Sequence, residues 1–161
     1  MERRFAQVDV FGTGGVSGNP LAVVVDADGL TDDQLRAFAS WTNLSETTFL
    51  LPPTTPDADY RVRILTTTTE YPFAGHPTLG SAHAWLAAGG VPRTPGVVIQ
   101  ECGAGLVPVR VDADRWRSPP HPAPGRATSS PRSAPWRPAP SASPETSGSP
   151  ARGASTGRSG S

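Results

Sequence analysis

Phe73-Ala74-Gly75-His76-Pro77-Thr78-Leu79-Gly80, continuing as Ser81-Ala82-His83-Ala84-Trp85-Leu86-Ala87-Ala88, is the stretch that decides the fold. Proline is favoured at the first helical position and glycine just past the last, so the spacing predicts a helix over 77–88, stopped by Gly89-Gly90. No Asp, Glu, Lys or Arg falls within it, and His83 is its sole titratable group. A surface helix keeps a charged, solvated side. This one has none, so it is expected to be enclosed, with His83 a core histidine making one hydrogen bond.

Working outward, runs that read as strands flank the helix on both sides. Residues 5–11 alternate, and 21–26 are apolar on both faces, the mark of a central strand. Between them Gly12-Thr13-Gly14-Gly15-Val16-Ser17-Gly18-Asn19-Pro20 is a loop punctuated by four glycines and a proline. Thr31-Asp32-Asp33-Gln34 has the spacing of a capping box, and the helix after it places Leu35, Phe38, Ala39 and Thr42 on one side. Residues 45–51, 60–64, 70–73, 97–101 and 106–111 complete the strands, with Ala74-Gly75 as a turn. Several strands around one enclosed helix predict an α+β fold, a sheet wrapped around a central helix.

The chain consists of two different materials. Residues 1–115 hold 8 Arg against 13 acidic residues, whereas 116–161 hold 6 Arg against Glu145, so a formal net charge of zero hides an acidic part and a basic one. From Trp116 onward there is no Leu, Ile, Val or Phe. A segment with nothing to bury cannot offset the roughly 1–2 kcal/mol per residue of backbone entropy lost on ordering. The expectation is therefore a domain over 1–115 and a disordered Pro/Ser/Arg-rich tail over 116–161. The acidic front argues against a nucleic-acid partner. No apolar run approaches the ~20 residues that span a bilayer, so no membrane partner is expected. Cys102 is the only cysteine, which fits a reducing, cytoplasmic setting.

Two places could carry chemistry. Asn43-Leu44-Ser45-Glu46-Thr47-Thr48-Phe49 sets a carboxylate at the mouth of a strand, where partial desolvation would raise its pKa and suit it to proton transfer. A solvated strand-end glutamate is the plainer alternative. At 73–80, Gly75 would let a ligand approach the backbone, and the helix N-terminus behind it attracts a carboxylate. His76, read as the cap residue, would donate to that anion or act as acid or base; a purely structural cap is the alternative. Glu70 would brace the turn before Gly75. Cys102 lacks the charged neighbours a thiolate needs and reads as packing. His76, His83 and His121 share no ligand spacing, so no metal is expected.

Taken in order, Val8-Asp9-Val10-Phe11, Gly18-Asn19-Pro20-Leu21-Ala22-Val23-Val24, the run 43–49, Arg63-Ile64, the run 73–80 and Gly103-Ala104-Gly105-Leu106-Val107-Pro108-Val109 resemble the PhzF-like (phenazine biosynthesis-like) isomerase family over its N-terminal half. The resemblance implies a diaminopimelate-epimerase-like fold: two similar domains, each a curved antiparallel sheet around a central helix, with the active site between them. It also implies that Glu46 shuttles a proton without metal or organic cofactor. The substrate would be a small carboxylate-bearing molecule of dihydro-hydroxyanthranilate type, with Asn19, Gly75 and His76 binding or polarising it. Related epimerases place a cysteine where Ala74 stands, so two-cysteine racemisation is not expected. Thr67, Tyr71 and Cys102 depart from the family pattern without touching this chemistry.

The second domain of that pattern, with its Asp-Pro-x-Thr-Gly-Ser type segment, is expected to be missing. The abrupt change near Arg115 has the composition of a GC-rich gene read out of frame, an expectation that the DNA after codon 114 would test. On these grounds the chain is expected to be an isomerase by ancestry and inactive alone. The competing expectation is a non-catalytic half-domain that binds small acids weakly or forms a homodimer through its exposed cleft face.

Overall fold

In a computed structural model, which describes residues 2–112 and 115–117, the elements follow one another as β1 (Phe5–Val10), β2 (Asn19–Val24), α1 (Asp32–Thr42), β3 (Thr47–Leu51), β4 (Tyr60–Leu65), β5 (Glu70–Tyr71), α2 (Gly75–Ala87), β6 (Val97–Cys102), β7 (Gly105–Asp112) and β8 (Arg115–Arg117). The strands form one curled sheet in the order β1-β2-β3-β4-β6-β7-β8, with β5 also paired to β4. The wrapped α+β fold is therefore present, but its sheet is mixed where an antiparallel one was expected. β2 and β3 run parallel, as do β4 and β6. Each parallel pair is separated in sequence by a helix, α1 or α2, and a helical crossover returns the chain to the same end of the sheet.

The two helices cover opposite faces of the sheet, so its central strands are apolar on both sides. In β2, Val23 joins the cluster beneath α2 and Val24 the cluster beneath α1; in β3, Leu50 and Phe49 divide in the same way. The α1 capping box forms: Gln34 N–H donates to Thr31 Oγ1 at 3.3 Å and Thr31 N–H donates to Gln34 Oε1 at 2.9 Å. Leu35 and Ala39 are buried, Phe38 packs beside them, and the Thr42 hydroxyl meets that of Thr47 at 2.8 Å.

Helix α2 starts earlier than the proline suggested. Ala74 is its N-cap and Gly75 its first residue, so His76 lies inside the helix, not at the cap, and no turn separates Ala74 from Gly75. Pro77 loses nothing at its third position, because the first N–H groups of a helix have no intrahelical acceptor. The far end closes by two bonds, Gly89 N–H to the Leu86 carbonyl and Gly90 N–H to the Trp85 carbonyl, both 2.9 Å.

The enclosure of α2 is incomplete. Pro77, Thr78, Leu79, Gly80, Ser81, Ala82 and Ala84 are buried, but His83 and Ala87 are exposed. His83 is thus not the core histidine that the uncharged sequence suggested. It borders a shallow depression of about 370 Å³ with Val8, Phe11 and Leu79, where the curl of the sheet ends at β1. The helix lacks charge because most of it is covered, and on its open side it is lined by small or apolar residues instead of ionic ones.

Two buried polar chains fix α2 in rotation and height. The Tyr60 hydroxyl donates to Gln100 Oε1 (2.8 Å), Gln100 Nε2 donates to Thr78 Oγ1 (3.1 Å), and Thr78 Oγ1 donates to the Ala74 carbonyl (2.9 Å). Ser81 Oγ donates to Thr48 Oγ1 at 2.9 Å on the neighbouring strand. Buried polar groups with every partner in place specify one arrangement, because any slip leaves them unpaired. β8 takes in Trp116 and Arg117, which the sequence reading had assigned to the tail. The rest of that tail, 118–161, lies outside the described residues.

Candidate active site

The site is assembled from three segments distant in sequence. Asn43 ends α1 in the left-handed conformation, φ 53°, and turns the chain back toward the sheet. Glu46 follows immediately before β3, a strand paired on both sides by β2 and β4. Asn19 opens β2, and His76 occupies the first turn of α2, whose height is set by the Thr78 and Ser81 bonds. The four residues singled out in the sequence therefore meet at one end of α2, with Gly75 exposed beside His76.

The geometry fixes the state of the imidazole. Asn19 Nδ2 donates to His76 Nδ1 at 3.1 Å, so Nδ1 is the acceptor and the ring proton sits on Nε2. Burial lowers the His76 pKa below the ordinary imidazole value, with the Glu46 carboxylate pulling it back up. Burial outweighs the carboxylate, and the net lowering favours a neutral ring whose Nε2–H faces Glu46. The Nε2 to Oε2 separation is 3.5 Å, and the two side chains are only 11% and 16% exposed. Neither atom has a hydrogen-bond partner. A neutral donor and an acceptor, both desolvated and held just out of mutual reach, form a gap where a third polar group would satisfy both.

The remaining candidates fall outside this centre. Glu70 is gripped by Arg63 through two bonds of 2.7 Å, while the same guanidinium reaches Asp32 at 2.6 Å, so Glu70 ties β5 to β4 and α1 and, among the described residues, makes no bond to the start of α2 that would brace it there. Burial raises the Cys102 thiol pKa, which makes it a poor nucleophile and supports a packing role. Among the described residues no three His, Cys, Asp or Glu side chains gather as metal ligands would, and no helix is long and apolar enough to cross a membrane. Sequence reasoning missed Asp9, Thr48, Thr78, Ser81 and Gln100, which touch the site residues or hold their elements. The bonds of Asp9 are to backbone N–H groups, which leave no trace in residue types.

The sequence profile of the phenazine biosynthesis-like proteins (PhzC-PhzF) matches residues 8–120. The chain belongs to the phenazine biosynthesis-like family. Among curated PhzF-family relatives, antisense-enhancing sequence 1 of Schizosaccharomyces pombe is 48% identical over 114 residues, covering 71% of this chain and 38% of that protein. The trans-2,3-dihydro-3-hydroxyanthranilate isomerase of Pseudomonas aeruginosa is 46% identical over 81 residues, 50% of this chain and 29% of that one. The crystal structure of a PhzF-family protein from Bacillus anthracis superposes with a TM-score of 0.60 at 31% identity, covering 68% of this chain and 36% of that one. A probable proline racemase from Agrobacterium radiobacter, at 19% identity and TM-score 0.54, covers 71% of this chain and 39% of that one and shares its fold. The chain thus spans well under half the length of these relatives.

Proposed function

We propose that this chain carries the proton-transfer half of a PhzF-type isomerase acting on a small carboxylate-bearing molecule of the dihydro-hydroxyanthranilate type. Glu46 takes a proton from one carbon and returns it to another, so the substrate is isomerised with no net change in atoms or electrons. His76, neutral and donating from Nε2, polarises the substrate across the gap. Gly75 lets the ligand reach the first N–H groups of α2, since a Cβ built there meets no protein atom within 4 Å. Asn19 holds the ring. The observation that carries this reading is the pair of buried, partnerless atoms, Glu46 Oε2 and His76 Nε2, facing one another. Several relatives are named as isomerases, and the Pseudomonas aeruginosa relative is named for trans-2,3-dihydro-3-hydroxyanthranilate, which supports this reading.

The test is isomerisation of trans-2,3-dihydro-3-hydroxyanthranilate in deuterated water, with the chain alone and with a polypeptide supplying the rest of a relative's length. The complemented pair should turn over, and Glu46→Gln should lose about 10²–10⁴-fold in rate, the usual weight of a general acid–base group. An undiminished rate in Glu46→Gln removes Glu46 from the role.

The exposed side of α2 favours a second reading for the chain by itself: it binds small acids weakly, or pairs with another copy through the depression at His83, without turnover. Electrostatic and proton-transfer catalysis lose force where water reaches the reacting groups.

A further inference from the structure

We propose that Asp9 is a positioning residue that sets the tautomer of His76 through the loop between β1 and β2. This rests on the reading of Glu46 and His76 as the reactive pair and extends it to a residue that touches neither. The Asp9 carboxylate accepts from Gly18 N–H at 2.9 Å and from Ser17 N–H at 3.1 Å. Those are the two residues immediately before Asn19. Two successive N–H groups converging on one anion form a backbone nest, and a charged acceptor roughly doubles the strength of each bond.

The loop is built around that carboxylate. A Cβ at Gly18 would lie 2.7 Å from Asp9 Oδ1 and in still closer contact with the Val10 carbonyl, and one at Gly12 would collide with Asp9 Oδ2. Phe11 is held at φ 66°, a conformation that bulky residues rarely adopt, where the chain folds over the carboxylate. Ser17 Oγ closes the loop by accepting from Thr13 N–H at 3.1 Å. The end of the loop is therefore pinned at Ser17 and Gly18, and the next side chain is the amide that donates to His76 Nδ1. Orientation passes from Asp9 to the backbone, from the backbone to Asn19, and from Asn19 to the ring. An imidazole's protonated nitrogen is decided by the bond its other nitrogen makes. If Asn19 drifts, the Nε2–H form loses its preference, and the donor facing Glu46 is lost for part of the time.

Nitrogen chemical shifts of the His76 ring in the full chain test this without any turnover, with His83→Gln and His121→Gln used to assign the signal. In the native chain Nδ1 should show the shift of an unprotonated nitrogen and Nε2 that of a protonated one. Asn19→Ala should move both toward the average of a tautomer mixture. Asp9→Ala should do the same, and Asp9→Ala with Asn19→Ala should add nothing further. Asp9→Asn keeps one acceptor and the side-chain shape, should give a partial shift, and decides the matter if the alanine variant fails to fold. A loss of melting temperature in the Asp9 variants with the His76 shifts unmoved would overturn the proposal and leave Asp9 a loop clamp. If the shifts follow Asp9 but small carboxylates leave His76 and Gly75 undisturbed, the functional reading fails while the positioning role stands.

Discussion

At the scale of single residues, the pairing of Glu46 with His76 makes a signed prediction. The carboxylate raises the His76 pKa and burial lowers it further than that, so the ring in the folded chain binds its second proton more weakly than in the unfolded one. Between the unfolded value and the lower folded value the unfolded state holds more protons. The stability due to a neutral His76 is therefore complete above about pH 6.5 and is lost as pH falls below it. Glu46→Gln removes the one effect that raises the pKa, so His76 should titrate at still lower pH in that variant, as read from its ring carbon shifts. An upward movement would mean the two side chains do not face each other in solution. Phe11 makes a second prediction, since it is 69% exposed and holds a positive φ. Phe11→Gly should leave the chain as stable as before, or more stable by up to about 1 kcal/mol in chemical unfolding, because relief of the left-handed strain opposes the entropy cost of glycine.

At the scale of elements, α2 separates two positions that its sequence does not. Ala84 is 4% exposed and packs into the inner cluster, whereas Ala87 is exposed. Ala84→Lys should cost about 3–5 kcal/mol, because it buries an unpaired charge, and Ala87→Lys should fall within about 0.5 kcal/mol of the native chain. Thr78→Val should cost about 1–3 kcal/mol by stranding Gln100 Nε2 in the interior, while the Ala74 carbonyl keeps the backbone N–H of residue 78. Equal melting temperatures for both alanine variants would put the helix elsewhere. The same helix shows what residue types reveal. Thr31 and Gln34 announce α1 because a capping box is a side-chain signal. The two-sided apolar run in β2 announces a covered strand for the same reason. The absence of charge in α2 was legible too, but absence does not say which side is covered, so His83 was placed inside. Glu46, Gly75, His76 and Asn19 stand out in short runs and through their resemblance, and the structure brings them to one end of α2. The direction of β3 against β2 was not legible, because crossovers, not side chains, decide it.

At the scale of the whole molecule, the sheet curls around α2 from β1 to β8 without hiding the helix face that carries His83. β1 offers the sheet an edge next to that face, and such an edge is a template for pairing. Sedimentation of the chain should therefore depend on concentration, and His83→Glu, which sets an acid near Asp9 in the depression, should shift it toward monomer with the melting temperature unchanged. A monomer at every concentration would discard the self-association reading and leave weak binding of small acids.

The hydrogen-bond chain from Tyr60 through Gln100 to Thr78 also carries a timetable. Asn19, Glu46 and His76 leave the ribosome in that order, yet the helix turn bearing His76 is tied to β6, which emerges more than twenty residues later. Until Gln100 arrives, the Thr78 hydroxyl has no donor from the sheet, and α2 lacks one of the two bonds that set its height opposite Glu46. A nascent chain arrested before β6 holds Asn19, Glu46 and His76 but has only the Ser81–Thr48 bond to fix the helix between them. The first turn of α2 thus takes its last fastening from a strand made after it, through a glutamine remote from Glu46 in sequence.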